Sequence, residues 1–543
     1  MQRPMFDVDF PDPDIIRVDN TYYMLSTSMY FFPGCEIVSS TDLISWKHET
    51  YVYDYLDQTP AQRLESGNIY GKGMWAASFR YHKGTFYICF VANDTHSTYL
   101  FRSDAIKGPW KMSKIQGFYH DCSLLFDDDD KVYIAYGNRE IYVTELNEEM
   151  TAPKENGFHR MVVRDNLNNA LGYEGTHFYK INGVYYLFFI HSLEGKWFRS
   201  ESCYYSKSLF DEFTGGEVFT DDNNYLNSGI AQGSIVDTSN GDWYAILFQD
   251  RGGSGRIPYL IPMHFEGVLP VIGDNGKLPV CEQPAYSNNA NKLTTFGSFI
   301  SSAYGTFIGS DDFKTIFDTD SCYGFKNIWQ FNHEPDMSLI TRNTALGSYS
   351  VTTNKICSNP TEAINSLTQR MSEIISCASV TVDATSISSG DYAGFTALQY
   401  LYGFIGITKK DDSYYIVYME KSSANEPDKT TIIKQISSPI VTFRISTNLG
   451  KGDDFAKFSY KCIDENYDKS SCNNLKKDGC IHYNCDNGDD CAHCNCDSGF
   501  RTLENKKPLP FMLEHFTGYR YALTYFSTQT PGGIATFSNF VYE

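Results

Sequence analysis

Through the first half of the chain, short stretches in which aromatic and aliphatic residues alternate with polar ones are each entered from a turn of Asn, Asp or Gly. Five of them resemble one another: NTYYML, GTFYIC, DKVYIA, NGVYYL and GDWYAI. Alternation of this kind, bounded by turn residues, predicts strands. Their shared tyrosines, Tyr23, Tyr87, Tyr133, Tyr186 and Tyr244, lie 64, 46, 53 and 58 residues apart. That is about the length of one four-stranded blade with its loops, and five copies close a ring. The spacing predicts a five-bladed β-propeller; the alternative is an irregular β-sandwich with coincidental spacing. SSTDLISWK, RSDAIKGPWK and YSKSLFDEF follow the first, second and fourth repeats as outer strands would. Later, SVTVDA and YYIVYME alternate as strands with one buried face. The chain therefore reads as all-β, with a propeller over 1–285, a polar Asn/Ser/Thr/Gly-rich connector over 286–310 and a second β domain over 311–543.

Counting back from each tyrosine reaches the preceding strand, which in a propeller is the innermost and lines the central channel. Twelve residues before Tyr87, Tyr133, Tyr186 and Tyr244 stand Trp75, Asp121, Glu174 and Gln232, and eleven before Tyr23 stands Asp12. Equivalent positions of a rotationally repeated fold point at one axis. Three carboxylates, an indole and an amide are therefore expected to converge on a single funnel.

Such a trio suits the breaking of glycosidic bonds, which needs one acid to protonate the leaving oxygen and one carboxylate to activate water or attack carbon. A third carboxylate beside the acid keeps the proton on it by like-charge repulsion. Glu174, in LGYEGTHFY, lies between aromatics and a glycine, surroundings that disfavour charge, and is read as the general acid. Asp12, in FPDPD, is fixed by prolines on both sides and is read as the general base. Asp121, in FYHDCSLLF, is then the residue that orients Glu174 and tunes its proton. The plainer alternative is that Asp-Pro pairs make turns and a Glu-Gly step ends a strand. Asp14 and the run Asp127 to Asp130 read as solvated turn acids. Trp75, with Phe31 and Phe32 from YFFPG, offers faces for a sugar, and Met29 and Gln232 complete the expected binding set. Arg256, in QDRGGSGRIPYL, is placed to reach a carboxylate-rich funnel and donate to sugar hydroxyls, with Arg251 the competing choice.

Composition narrows the partners. Of 543 residues, 15% are aromatic, with 40 Tyr and 38 Phe, which favours strands. The net charge of -21 repels nucleic acid and anionic membranes, and no apolar run approaches the roughly 20 residues of a membrane span. Neutral sugars fit better. The opening MQRPMFDVDF has no hydrophobic signal segment. Seven of the 15 cysteines (Cys462, Cys472, Cys480, Cys485, Cys491, Cys494 and Cys496) crowd one Gly/Asp/Asn-rich stretch at about 462–496. That crowding points to an oxidising, extracellular setting with a signal segment removed; a cytoplasmic setting is the alternative. The stretch reads as a disulfide staple, its seven cysteines leaving one unpaired unless Cys357, Cys377 or another partner joins them, against a metal knuckle or an interaction module. No HExxH, P-loop, dinucleotide fingerprint or paired CxxC appears, so metalloprotease, nucleotide and redox chemistry lack support. No cofactor is required, no metal ligand set is assigned, and a bound structural calcium is not indicated.

At these residues the chain resembles glycoside hydrolase family 43, five-bladed propeller enzymes that include β-xylosidases and α-L-arabinofuranosidases. FPDPDIIRV is similar to the family's base motif at Asp12, GMWAASFRYHKGTFY to its Trp75 region, HDCSLLFDDD to its modulating aspartate at Asp121 and GYEGTHFYKINGVYYLF to its acid segment at Glu174. Past the propeller, FKNIWQFNHEPDMSLI, NSLTQR, GDYAGFTALQY and GGIATFSNFVYE resemble the jelly-roll, concanavalin-like β-sandwich of family β-xylosidases, whose loop can narrow the site to a pocket. The resemblance implies an inverting, exo-acting hydrolase of xylan degradation. It would release terminal pentose, β-1,4-linked xylose foremost, from xylo-oligosaccharides or other hemicellulose fragments, with carboxyls about 6.5 to 9.5 Å apart. An α-L-arabinofuranosidase acting on arabinose-substituted oligosaccharides, or an enzyme with both activities, is the alternative, and a non-catalytic carbohydrate-binding propeller a more distant one. Two features depart from the family. Ala231 stands where many relatives carry a histidine that helps hold an axial metal, and the cysteine-rich insertion has no counterpart.

Overall fold

A computed structural model describes residues 3–165, 169–279, 305–317, 323–450, 452–462, 499–512 and 514–543. Five consecutive four-stranded antiparallel sheets make up the first half. Their innermost strands are Asp14–Val18, Ser78–His82, Ser123–Phe126, Glu174–Ile181 and Ile230–Asp237, and the five repeat tyrosines all fall on the second strand of a blade. The propeller architecture is thus as the spacing predicts. The three weaker echoes are different: they span the turn between the third and fourth strands, as in Gly34–Ser40 and Lys47–Tyr53, rather than an outer strand itself.

Each blade draws all four strands from consecutive sequence, so no shared strand closes the ring. Side chains do it instead. Every inner strand donates one backbone N–H to a side chain of the preceding blade: Ile15 to Ser234 Oγ (3.0 Å), Phe79 to Asp14 Oδ2 (2.7 Å), Leu124 to Ser78 Oγ (2.9 Å), Phe178 to Ser123 Oγ (2.9 Å) and Ile235 to the Tyr179 hydroxyl (3.2 Å). The first and last blades are also joined by the Arg17–Asp237 ion pair at 2.5 Å. Inner-strand N–H groups lack a strand on the axial side, so a polar side chain of the preceding blade, short in four cases and the Tyr179 hydroxyl in the fifth, meets an obligatory bonding need.

Two larger sheets form the second half as a sandwich. One runs Phe31–Phe32, Gln330–Asn332, Leu367–Arg370, Arg520–Ser527, Asp391–Leu398, Gly403–Lys410, Ser413–Glu420, Lys429–Ile436; the other is centred on Ile534–Tyr542, Ile374–Asp383 and Ile440–Leu449. Alternating residues such as Val380, Val382, Phe443 and Ile445 fill the space between the sheets. The edge strand Phe31–Phe32 belongs to the propeller half, pairing Phe32 with Phe331 and Phe31 with Asn332. Buried ion pairs cross the same boundary: Arg370 Nη2 to Glu36 Oε2 at 2.8 Å and Arg251 Nε to Glu373 Oε1 at 2.7 Å. One apolar cluster joins the sandwich to the blades beside it, while the remaining blades carry clusters of their own. Most of the expected connector and nearly all of the cysteine-rich insertion lie outside the described residues. Cys357 and Cys377, expected as partners for that insertion, are free thiols; Cys357 Sγ donates to the Glu362 carbonyl and Cys377 Sγ lies 3.3 Å from Ser446 Oγ.

Candidate active site

Asp12, Trp75, Asp121, Glu174 and Gln232 all stand at the head of an inner strand or within three residues before it or into it. Asp12, Asp121 and Gln232 take left-handed backbone conformations (φ 50, 47 and 64°), as does Gly175 (φ 65°) directly after Glu174. For residues with a Cβ this conformation costs about 1 to 3 kcal/mol and persists where surrounding structure enforces it, most often at functional sites. Here it turns the side chains off the strand toward the axis. Gly175 is required on two counts, since its φ suits glycine and an added Cβ would lie 2.6 Å from Gln232 Cδ. Gln232 is thereby seated against the backbone next to Glu174.

Bonds tie the acids to one another. The Gly175 N–H donates to Asp121 Oδ2 at 2.9 Å, so Asp121 fixes the peptide that carries Glu174. Asn138 Nδ2 donates to Glu174 Oε2 at 2.5 Å. His120 Nε2 lies 3.5 Å from both Asp121 Oδ2 and Glu174 Oε2, and the edge of its ring meets Trp75 at 5.5 Å. Burial works against charge on His120, but the two carboxylates outweigh it and hold the imidazole up at about 9. Asp121 is raised above the usual aspartate range, first by burial and further by Glu174, with His120 opposing. Asp12 is also raised by burial, with Arg256 opposing.

Arg256 is the cation of this site. Its Nη1 donates to Asp12 Oδ1 at 2.7 Å, its Nε lies 3.5 Å from Asp250 Oδ1, and its guanidinium sits between the rings of Phe248 (4.7 Å) and Phe516 (4.9 Å). Phe516 belongs to the sandwich half. Its loop is held down by Asp9, which accepts from the Arg256 backbone N–H at 2.8 Å through one oxygen and from Gly518 N–H at 3.0 Å through the other. The sandwich therefore forms one wall of the site. Arg251, the competing choice, points elsewhere and is spent on Glu373 and the Gly450 carbonyl.

Several expectations need correction. Phe31 and Phe32 are 2% and 1% exposed. The Arg520 guanidinium covers Phe31 at 3.4 Å, so neither ring offers a free sugar-stacking face and both serve the joint between the halves. Met29 is likewise buried, bonded through its backbone to Met74. Trp75 is half-buried, with the His120 ring against it edge-on. Asp14 is not a solvated turn acid but fully buried, paired with Arg80 at 2.9 Å. In the run from Asp127 to Asp130, Asp127 is buried and accepts from Tyr185 and Lys180. His120, Asn138, Arg199, Asp250, Asp9 and Phe516 were not singled out by the sequence reading. His120, next to Asp121, was the one within reach of the repeat register; the others sit off the inner strands.

Further along the axis, the residues present do not fit a central cation. Arg80 already places a guanidinium there, bonded to Asp14 of the first blade, Ser123 and the Leu124 carbonyl of the third and the Phe178 carbonyl of the fourth. Ala231 supplies no ligand. Among the described residues, one grouping has metal-ligand chemistry, His120, Asp121 and Glu174, whose ligand atoms lie within 4.8 Å of one another. Asp121 and Glu174 are two of the three carboxylates expected at this site.

Comparison with known proteins gives a consistent picture. The model of "Glycosyl hydrolases family 43" matches residues 1–267, and that of the "Beta xylosidase C-terminal Concanavalin A-like domain" matches 317–480. A xylosidase/arabinosidase of Butyrivibrio fibrisolvens is 29% identical over 50% of this chain and 56% of its own. A β-xylosidase of Formosa agariphila is 26% identical over 50% of each. The chain thus spans about half the length of the curated relatives it matches. Among solved structures, a bifunctional GH43-CE protein of Bacteroides eggerthii superposes with a TM-score of 0.83 at 31% identity, over all of this chain and 64% of that one.

Proposed function

The chain belongs to glycoside hydrolase family 43, and from that premise we propose that it is an inverting, exo-acting glycosidase. It releases terminal pentose, β-1,4-linked xylose foremost, from xylo-oligosaccharides or other hemicellulose fragments. The observation that carries the proposal is the set of carboxyls at the heads of the inner strands, with Asp12 bonded to Arg256 and Asp121 bonded to the Gly175 peptide beside Glu174. In this reading Glu174 protonates the leaving oxygen while Asp12 takes a proton from the water attacking the anomeric carbon from the opposite side. Asp12 must be ionised to do so, and the Arg256 pair opposes the burial that disfavours that charge. Asp121 acts on Glu174 through the Gly175 peptide, and Asn138 and His120 limit the carboxyl's rotamers. The Phe516 wall and the buried Asp9 bridge close one side of the funnel, which suits removal of end units.

The printed name of the Butyrivibrio fibrisolvens relative covers both xylosidase and arabinosidase, which supports α-L-arabinofuranosidase activity as the second reading. A few pocket contacts separate the two sugars. The test is hydrolysis of 4-nitrophenyl β-D-xylopyranoside and α-L-arabinofuranoside, with the product anomer followed by NMR. The expected result is α-xylose as first product from the xyloside, and loss of at least about 10³-fold in kcat for Asp12→Ala and Glu174→Ala. A β-anomer product, or parent-like rates in both variants, overturns the assignment.

A further inference from the structure

Beside Arg256 stands a second buried guanidinium for which the mechanism has no use. Arg199 opens the strand Arg199–Ser206, the third of the fourth blade, and pairs across the sheet with Ser192. The same ladder sets Glu174 opposite Ile190 and Ile190 opposite Glu201, so Arg199 lies at the Glu174 end of the sheet, two residues from the position level with it. Its side chain is 4% exposed. Nη1 is 2.6 Å from Asp250 Oδ2, while the other oxygen of Asp250 faces Arg256. Both guanidiniums lie over the Phe248 ring, Arg256 at 4.7 Å and Arg199 at 5.6 Å.

Arg256 has Asp12 as well, but among the described residues Arg199 pairs with no carboxylate other than the Asp250 it shares. Burial lowers the Arg199 pKa, with Asp250 opposing, and Arg199 Nε has no hydrogen-bond partner among the described residues. A buried charged donor left unmatched is costly, and in a purely structural role it would be paired or replaced by an apolar residue of similar volume. The backbone holds it in place nonetheless. Arg199 N–H donates to the Ser228 carbonyl, and Gly229 passes so close that a Cβ there would lie 2.1 Å from Arg199 O. A preorganised donor with a free N–H, next to the acid and base of a sugar site, is built to meet a hydroxyl.

We propose that Arg199 is a second sugar-holding guanidinium of the active site, donating to a hydroxyl of the terminal pentose and setting the preference among pentoses. Asp250 orients it jointly with Arg256. The inference rests on the glycosidase reading above and adds to it a residue that fixes the bound ring rather than moving protons.

The test compares Arg199→Met, which keeps the stem and removes every donor, with Arg199→Lys, which keeps the charge and removes the fork. For each, KM and kcat on the two nitrophenyl pentosides and the inhibition constant for free D-xylose are measured beside a thermal melt. A lost hydrogen bond from a charged donor corresponds to roughly 10- to 100-fold. Arg199→Met is expected to raise KM and the xylose inhibition constant together by that factor and to change the xyloside-to-arabinofuranoside ratio. Arg199→Lys is expected to show the same changes at reduced size, and it carries the test if the Met variant does not fold. A folded variant with parent-like KM, xylose inhibition and sugar ratio overturns the inference while leaving the glycosidase reading intact. A parent protein inert on every pentoside overturns both.

Discussion

Replacing Arg256 with Met tests how the base is kept ionised. The methionine stem can still lie between Phe248 and Phe516, so the main loss is the charge bonded to Asp12 at 2.7 Å. For charge centres about 4 Å apart and an effective dielectric of about 20, that attraction is about 4 kcal/mol. At about 1.4 kcal/mol per factor of ten, and allowing for water entering the gap, the ionised fraction of Asp12 at mildly acidic pH falls roughly 100- to 1000-fold. The sign follows from the base working only as the carboxylate. Burial already raises Asp12 and Arg256 opposes it, so removing Arg256 leaves burial unopposed and moves the acidic limb of the rate profile upward. The assay is kcat/KM on a nitrophenyl pentoside from about pH 5 to about pH 9. The expected loss is largest at the acidic end and shrinks steadily as pH rises, over a smaller, constant loss from missing sugar contacts. An equal loss at every pH, in a protein that melts like the parent, refutes the idea that Arg256 sets the charge of Asp12.

Other perturbations have definite signs. Asp121→Asn removes a negative charge beside Glu174 and is expected to move the basic limb of the kcat profile to lower pH, whereas His120→Gln removes a positive charge from the same spot and is expected to move it higher; shifts in the same direction contradict the arrangement. Gly175→Ala forces a left-handed φ on a residue with a Cβ and drives it into Gln232, so a loss of about 1 to 3 kcal/mol in a denaturant melt is expected, together with at least tenfold lower kcat. Arg80→Met leaves Asp14 buried without its partner, for an expected loss of about 3 to 5 kcal/mol in stability that adding Asp14→Asn partly restores.

The part of the site that repeats with the blades was legible in the sequence. Asp12, Trp75, Asp121, Glu174 and Gln232 stand eleven or twelve residues before a tyrosine on the next strand, and the geometry of a closed ring carries that spacing to a common axis. What was not legible depends on partners without periodicity. Asp14 looks like any acid after a proline until Arg80 of the next blade is placed against it. Phe31 and Phe32 look like open aromatic faces until a strand three hundred residues later pairs with them. Asp9 and Gly518 meet across 509 positions, and Arg199 and Asp250 come from third and second strands of neighbouring blades. Local pattern predicts strands and their faces well; side-chain partners brought in by tertiary closure have no local signature.

The two-residue strand at Phe31–Phe32 has a consequence for any attempt to separate or exchange the halves. Cut away from its companion, the propeller would carry a raw seam: an unpaired backbone edge, Glu36 without the guanidinium of Arg370, and Asp9 with one oxygen emptied of its donor. A replacement module would have to bring its own edge strand, a cation and a backbone amide to those same three points before the pocket wall could be rebuilt. The second half is better regarded as a fixed component of the reaction vessel than as an accessory hung beside it.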